Sequence, residues 1–375
     1  MHYRTLGRTG IEVSILGFGA MRLPKKPGEK RETNHEESIK IIRKAIDSGV
    51  NIIDTAYIYG DSEIVVGKAL KDGYREKVVI QTKVPVWQDE FSKPELFEKC
   101  LEEELKKLDV DCIDIYLFHG LKGYIWRDKV LKMNLLDLVK KAKSEGKIKH
   151  VGFSFHDTPE ALKEIVDSNE FEVMLVQYNF LDTRLEEVIQ YAAAEKGLGV
   201  AIMGPVGGGR LGKSPPDEMK DWVTKGRDNF VVLALKFVWS HPGVTVALSG
   251  MGSEQMVDKN LALASNETIT LTKEERERVK KIAQRYKELT DVYCTQCGYC
   301  MLCPNGVNIP FIFEHYANWQ IHQWIYGKIQ YSNLGPYHLG KKADACIECV
   351  ECEPKCPQNI PIIKQLKKAH EVLSN

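Results

Sequence analysis

Several things are missing from these 375 residues. No uninterrupted apolar run approaches the roughly 20 residues that cross a bilayer, and the opening Met1-His2-Tyr3-Arg4-Thr5 has no apolar signal region. Together these predict a cytoplasmic chain with no membrane partner. A charge excess is missing too: 52 basic residues offset 52 acidic ones, so no bulk field argues for nucleic acid or an anionic surface. There is no low-complexity tract and no short-period repeat. Nor does any Gly-x-Gly-x-x-Gly follow a strand and open a helix in the context that the dinucleotide fold built on that turn requires.

Cysteine, by contrast, is concentrated. Eight of the ten cysteines form two runs, Cys294-x-x-Cys297-x-x-Cys300-x-x-Cys303-Pro304 and Cys346-x-x-Cys349-x-x-Cys352-x-x-x-Cys356-Pro357. Thiolates three residues apart on a tight loop converge on one cubane, each turn presenting its sulfur to a different iron. In the bacterial iron–sulfur run of nearly this spacing, the fourth cysteine reaches across to the other cluster. Two such runs predict two 4Fe-4S clusters, one on Cys294, Cys297, Cys300 and Cys356, the other on Cys346, Cys349, Cys352 and Cys303. The first run departs from the pattern, with two residues before its last cysteine rather than three. Structural zinc is the alternative, although zinc sites usually pair two Cys-x-x-Cys knuckles across a longer gap. A disulfide framework suits small secreted chains instead. Cys100, in a helical pattern, and Cys112, before a strand, read as packing residues.

Upstream of the cysteines, short β-branched runs alternate with longer amphipathic ones. Strands are predicted at Ser14–Phe18, Val50–Asp54, Val78–Thr82, Ile113–Phe118, Ile148–Ser154, Val173–Gln177, Gly199–Ile202 and Val244–Leu248. Helices are predicted at Glu36–Ser48, Pro94–Leu108 and Thr158–Ser168, the second from apolar residues spaced by three and four. Eight such units predict the α/β class, a (β/α)8 TIM barrel over residues 1–285. A small, mainly α, ferredoxin-like iron–sulfur domain follows over 286–375. Tyr3–Val13 reads as a hairpin plugging the barrel bottom. Thr272-x-x-Glu275 opens a charged helix to Leu289 as a capping box.

In such a barrel, chemistry sits at the C-terminal strand ends. Asp54, Lys83 and His119 close the second, third and fourth strands, and Tyr59 follows in the loop after Asp54. A tyrosine is a weak acid, with a reference pKa of about 10. An ammonium beside it stabilises the phenolate, and a carboxylate holds the ammonium in place. This set can protonate a carbonyl oxygen as hydride arrives, with His119 orienting the carbonyl.

Asn51-Ile52-Ile53-Asp54-Thr55-Ala56-Tyr57-Ile58-Tyr59-Gly60, with Gln81-Thr82-Lys83 and Tyr116-Leu117-Phe118-His119, resembles the aldo-keto reductases. With the cysteine tail, the chain is similar to the branch of that family carrying a C-terminal 4Fe-4S domain. The resemblance implies an oxidoreductase that reduces a small aldehyde or ketone by hydride transfer, with Asp54, Tyr59, Lys83 and His119 as the catalytic tetrad and Tyr59 as general acid. It also implies NADPH, with NADH as the alternative, held by Gly19, Met21, Ser154, Gln177, Tyr178, Gly204, Gly207, Leu211, Gly250, Ser253 and Asn260. Within this set, Ser154 and Gln177 hold the carboxamide and Tyr178 stacks on the nicotinamide. Gly204–Leu211 covers the pyrophosphate. Phe155 stands where relatives often have Asn, Gly252 where many have Ser, and Lys259 where many have Glu. Arg210, Lys213 and Lys259 are the candidate partners of a 2′-phosphate.

Between the cysteine runs, Phe311–His338 is rich in aromatics: Phe311, Phe313, Tyr316, Trp319, Trp324, Tyr326, Tyr331 and Tyr337. They are expected to pack a small domain whose core is otherwise thin. An additional reading makes them a lid over a pocket walled by Trp87, Tyr124 and Trp126. A nicotinamide delivers two electrons together and a cluster takes one, and no flavin motif is present. The clusters are therefore read as structural or as serving a redox partner protein. The alternatives are an electron-transfer protein using the barrel as a docking scaffold, or a redox sensor.

Overall fold

The structure, a computed structural model, describes residues 1–26, 32–301, 303–323, 325–335 and 340–374. Its contacts sort the chain into two compact units, Met1–Pro205 with Leu235–Leu271, and Val206–Ala234 with Thr272–Asn375. Among the described residues no helix is long and apolar enough to cross a membrane.

The first unit is a closed barrel of eight parallel strands. A hairpin of β1 (Tyr3–Thr5) and β2 (Glu12–Ser14) precedes it, followed by β3 (Leu16–Gly19), β4 (Ile52–Asp54), β5 (Val79–Val84), β6 (Ile113–Leu121), β7 (Ile148–Phe155), β8 (Val173–Gln177), β9 (Gly199–Met203) and β10 (Val246–Ser249). Helices cover the outside, so strands such as β6 are buried along their whole length and read as continuous apolar runs. The hairpin does plug the barrel. Leu6 and Val13 are fully buried among the inward-facing Ile52, Ile115, Leu117 and Val173, and a Cβ at Gly199, the first residue of β9, would lie 2.6 Å from Leu6.

Helix Pro94–Leu108 starts on its proline and ends at Asp109 in the left-handed region, as its periodicity predicts. In the second unit, helix Lys273–Leu289 carries the full Thr272/Glu275 capping box. Helices Ile309–His322, Tyr326–Ser332 and Ile362–Ser374 enclose a core containing Phe313, Tyr316 and Tyr331, with Phe311 and Trp319 packed against it. The aromatic segment therefore supplies the core of this unit. Trp324, Tyr337 and His338 lie outside the described residues, and Tyr326 is described only through its backbone.

Candidate functional site

Register brings Gly19, Asp54 and Gln81 level with one another across β3, β4 and β5. Strand alternation then aims Asp54, Gln81 and Lys83 inward, on the same side as Ile52 and Val79. The Lys83 ammonium lies 2.7 Å from Asp54 Oδ1 and donates to the Thr55 carbonyl at 2.6 Å. Gln81 Nε2 donates to the same Asp54 oxygen at 2.6 Å. Lys83 is only 1% exposed, and burial pushes its pKa down while Asp54 opposes the shift. Its Nζ is 5.0 Å from the centre of the Tyr59 ring. The His119 ring stands edge-on to the same tyrosine, ring centres 5.7 Å apart.

His119 is aimed by a local irregularity. The β6–β7 pairing slips between Phe118 and Leu121, and Gly120 there takes a φ of 66°, open to glycine at little cost. The Gly120 N–H donates to Ser154 Oγ at 2.8 Å, tying β6 to β7 beside the imidazole. Such bulges re-aim side chains next to active sites. Burial pushes the His119 pKa well below its ordinary value, with Lys83 adding to the shift. His119 is therefore neutral near pH 7.

Around this centre the strand ends carry the expected polar groups. Ser154 and Gln177 are buried, and Gln177 Nε2 donates to Asp182 Oδ2 at 2.7 Å. Tyr178 is buried with its ring stacked on Phe237 at 5.2 Å and its edge toward His241. Gly204 takes a φ of 62°, and its carbonyl accepts from Asn179 Nδ2 at 2.9 Å. Gly19 and Gly250 face each other, each closer than 4 Å to the other's backbone by way of an added Cβ. Met21 is exposed in the turn Ala20–Arg22. Ser253 caps helix Glu254–Ala264, and Asn260 donates to Ser249 Oγ at 3.1 Å. Gly207 and Leu211 belong to the second unit. There Leu211 is fully buried, its N–H bonding Val206 O and its carbonyl accepting from Phe230.

Phe155 packs beside Phe153 on the outward side of β7, ring centres 6.4 Å apart. The next inward residue is the buried His156, which burial holds at a pKa of about 3. Trp126, expected as a pocket wall, is instead buried against Phe171 at 5.6 Å. Phe171 also contacts the outward-facing Phe118 and Phe153, which places Trp126 in the layer outside the barrel. Tyr124 is exposed.

Three groups escaped the sequence reading. Gln81 was signalled by its place two residues before Lys83. Arg22 is exposed, and its backbone carbonyl and Cβ border Gly250 and Gly252. Behind β5, Glu63 and Glu104 are fully buried. The Thr82 hydroxyl lies 2.7 Å from Glu63 and 3.3 Å from Glu104, while Tyr116 donates to Glu104 at 2.5 Å. Burial pushes both carboxyl pKa values up, most strongly for Glu104. The signal was Glu104 falling four residues from Cys100 and Leu108 on an otherwise apolar stripe.

In the second unit Cys294 and Cys300 of the first run are within electrostatic reach of Cys297 and of Cys356 from the second run, and Cys352 is within reach of Cys346 and of Cys303 from the first. Cys300, Cys303, Cys346, Cys349 and Cys352 line one hollow. No disulfide joins any of the ten cysteines. Cys100 is buried in its helix, and Cys112 is half-buried at the start of β6.

Residues 15–284 match the aldo/keto reductase family, and residues 293–360 match the 4Fe-4S dicluster domain. A probable aldo-keto reductase from Glycine max is 31% identical over 215 residues, and the match spans 55% of this chain and 60% of the soybean protein. An aldo-keto reductase from Bacillus halodurans in its holo form superposes with a TM-score of 0.62 at 28% identity, over 75% of this chain and 96% of its own. The aldo/keto reductase from Klebsiella pneumoniae in complex with NADP and acetate does so with a TM-score of 0.60 at 25% identity, over 75% and 95%.

Proposed function

Because the chain belongs to the aldo/keto reductase family, we propose that it reduces a small aldehyde or ketone, with NADPH as hydride donor and Tyr59 as general acid. The observation that carries this reading is the buried Lys83–Asp54 pair at 2.7 Å, with its ammonium 5.0 Å from the Tyr59 ring. A dihydronicotinamide, when bound, supplies a hydride, that is, a proton and two electrons together.

The remaining steps fall to the chain's own residues. The neutral His119 orients the carbonyl oxygen toward the phenol. Tyr59 gives its proton to that oxygen as negative charge develops there, and Lys83 stabilises the charge left on the phenolate. Asp54, held by Gln81, keeps the ammonium from moving. Solvent then returns a proton to Tyr59, so the cycle consumes one hydride and one proton per alcohol formed.

The residues fit the nicotinamide group. Gly19 and Gly250 leave backbone exposed at adjoining strand ends, where a side chain would fill the space. Ser154 and Gln177 offer hydroxyl and amide groups to a carboxamide, Tyr178 a ring to stack on it, and Gly204, Gly207 and Leu211 shape the pyrophosphate turn. Met21, Ser253 and Asn260 complete the adenosine side, where Arg22 is the cation we assign to the 2′-phosphate.

The eight cysteines fit two 4Fe-4S clusters with crossed ligation, one on Cys294, Cys297, Cys300 and Cys356, the other on Cys303, Cys346, Cys349 and Cys352. The grouping of thiols across the two runs supports this. Such clusters take one electron each and serve structure or a redox partner.

Tyr59→Phe tests the mechanism. We expect carbonyl reduction to fall by roughly 10²–10⁴-fold, with NADPH binding and cluster absorbance unchanged. Activity surviving that substitution removes Tyr59 as the acid.

A further inference from the structure

The turn Gly207–Gly212 opens with three glycines in a row at φ 61°, 68° and 99°, where a side chain would be strained. Its backbone is also pressed against the first cysteine run. A Cβ at Gly208 would lie 2.7 Å from the Thr295 carbonyl oxygen and 2.9 Å from Thr295 Cα, and one at Gly207 would lie 3.0 Å from the Tyr293 hydroxyl. Thr295 and Tyr293 flank Cys294.

Arg210 joins the same two segments. Its guanidinium lies over the Tyr293 ring at 4.9 Å and donates to the Val292 carbonyl at 2.8 Å. It is within electrostatic reach of Cys294 and Tyr286. A cavity of about 120 Å³ opens here, and Gly207–Arg210, Lys213, Cys294 and Gln296 are among the residues that line it. Lys213 is already paired with Glu314 at 2.7 Å. Arg210 thus sits on the glycine turn, lines the cavity beside it and reaches the cysteine run with its guanidinium, which keeps its charge at every accessible pH.

We propose that Arg210 is shared between a dinucleotide pyrophosphate on the Gly207–Gly212 turn and the iron–sulfur cluster bound through Cys294, so that nucleotide binding and cluster reduction are thermodynamically linked. This rests on the nucleotide and cluster sites assigned above. A pyrophosphate brings two negative charges and reduction of a cluster adds one, and both draw on a single half-buried cation. Charges interact more strongly in such surroundings than in water. Cluster potential follows nearby charge and solvent exposure. The sign follows: bound dinucleotide makes the cluster harder to reduce, and the reduced cluster weakens dinucleotide binding by the same factor. No electron passes between nicotinamide and cluster in this linkage.

The test uses the anaerobic full-length protein with both clusters loaded, NADP+ as the probe, and dithionite as the electron donor, which is itself oxidised to sulfite. The reduction midpoint is followed by EPR with and without saturating NADP+, and the NADP+ Kd is measured on oxidised and reduced protein. We expect NADP+ to move the midpoint to more negative potential, and reduction to weaken NADP+ binding by roughly five-fold or more. Arg210→Gln lowers both the midpoint and the affinity, whereas Arg210→Lys, which keeps the charge, stays nearer the unsubstituted protein. Should Arg210→Gln fail to load clusters, the linkage in the unsubstituted protein decides the matter. A midpoint unmoved by bound NADP+, or unmoved by Arg210→Gln in loaded protein, overturns the proposal. Absence of NADP+ binding beside intact cluster spectra is a different failure, and overturns the nucleotide assignment itself.

Discussion

The ammonium of Lys83 lies 2.7 Å from a carboxylate oxygen of Asp54, both groups buried at the ends of the neighbouring strands β5 and β4. Each is the other's compensation, because a buried charge left alone is far more costly than a pair. Asp54→Ala is expected to destabilise the barrel by roughly 3–5 kcal/mol, read from chemical denaturation. The double replacement Asp54→Leu with Lys83→Met recovers most of that loss while remaining inactive. Equal stability of Asp54→Ala and the unsubstituted protein would show that the pair is not needed for folding.

Behind that pair, Glu63 and Glu104 face Thr82, Tyr116, Cys100 and Lys107. Their folded pKa values are raised by burial above the ordinary 4.5. The folded state therefore holds protons that the unfolded chain gives up. Their contribution to stability is full below about 4.5 and is lost as pH rises through the folded values. Glu104→Gln, which mimics the protonated acid, should raise Tm at pH 8 more than at pH 5. A Tm difference that does not change with pH sinks this account.

His119 and His156 shift the other way, with burial holding both imidazoles neutral. The unfolded chain takes up protons at these sites below about pH 6.5, so their contribution to stability is present above that pH and declines as pH falls. His156→Phe should move the acid-unfolding midpoint to lower pH, as followed by circular dichroism. An unchanged midpoint would mean that His156 is already charged in the fold.

Cys356→Ala should remove the cluster assigned to the first cysteine run, and Cys303→Ala the cluster of the second. Each loses about half the iron under crossed ligation. Iron analysis with EPR of each variant checks this. Loss of the second run's signal on Cys356→Ala would show that each run serves its own cluster.

Arg22→Ala is expected to weaken NADPH by roughly ten-fold or more, the scale of one charge-assisted hydrogen bond, and to leave NADH nearly unaffected. Fluorescence titration with both nucleotides distinguishes them. Equal loss for the two would place Arg22 away from the 2′-phosphate.

What could be read early was written in short-range pattern. The capping box at Thr272 and Glu275, the span Pro94–Leu108 and the strand Val173–Gln177 all emerged as read, because caps and periodicity act over a few residues. Strand ends were less legible. The strand read from Val244 begins at Val246, since Val244 instead bonds the His241 carbonyl in a turn. Trp126 looked like a pocket wall because composition says nothing about which side of a barrel a ring occupies.

By itself the sequence determined the inventory: eight strand-and-helix units, four polar residues placed at strand ends or in the loop after one, and eight cysteines in two runs. Only tertiary structure decided which of these meet. Asp54 reaches Lys83 because β4 and β5 pair in one register, and a slip of one residue would turn Lys83 outward. His119 is aimed by a slip in the β6–β7 pairing that no local pattern announces. The glutamates behind Lys83 and the guanidinium of Arg210, whose partner Val292 lies 82 residues away, are long-range contacts. Their positions follow from how whole elements pack, and packing is decided by the chain as a whole.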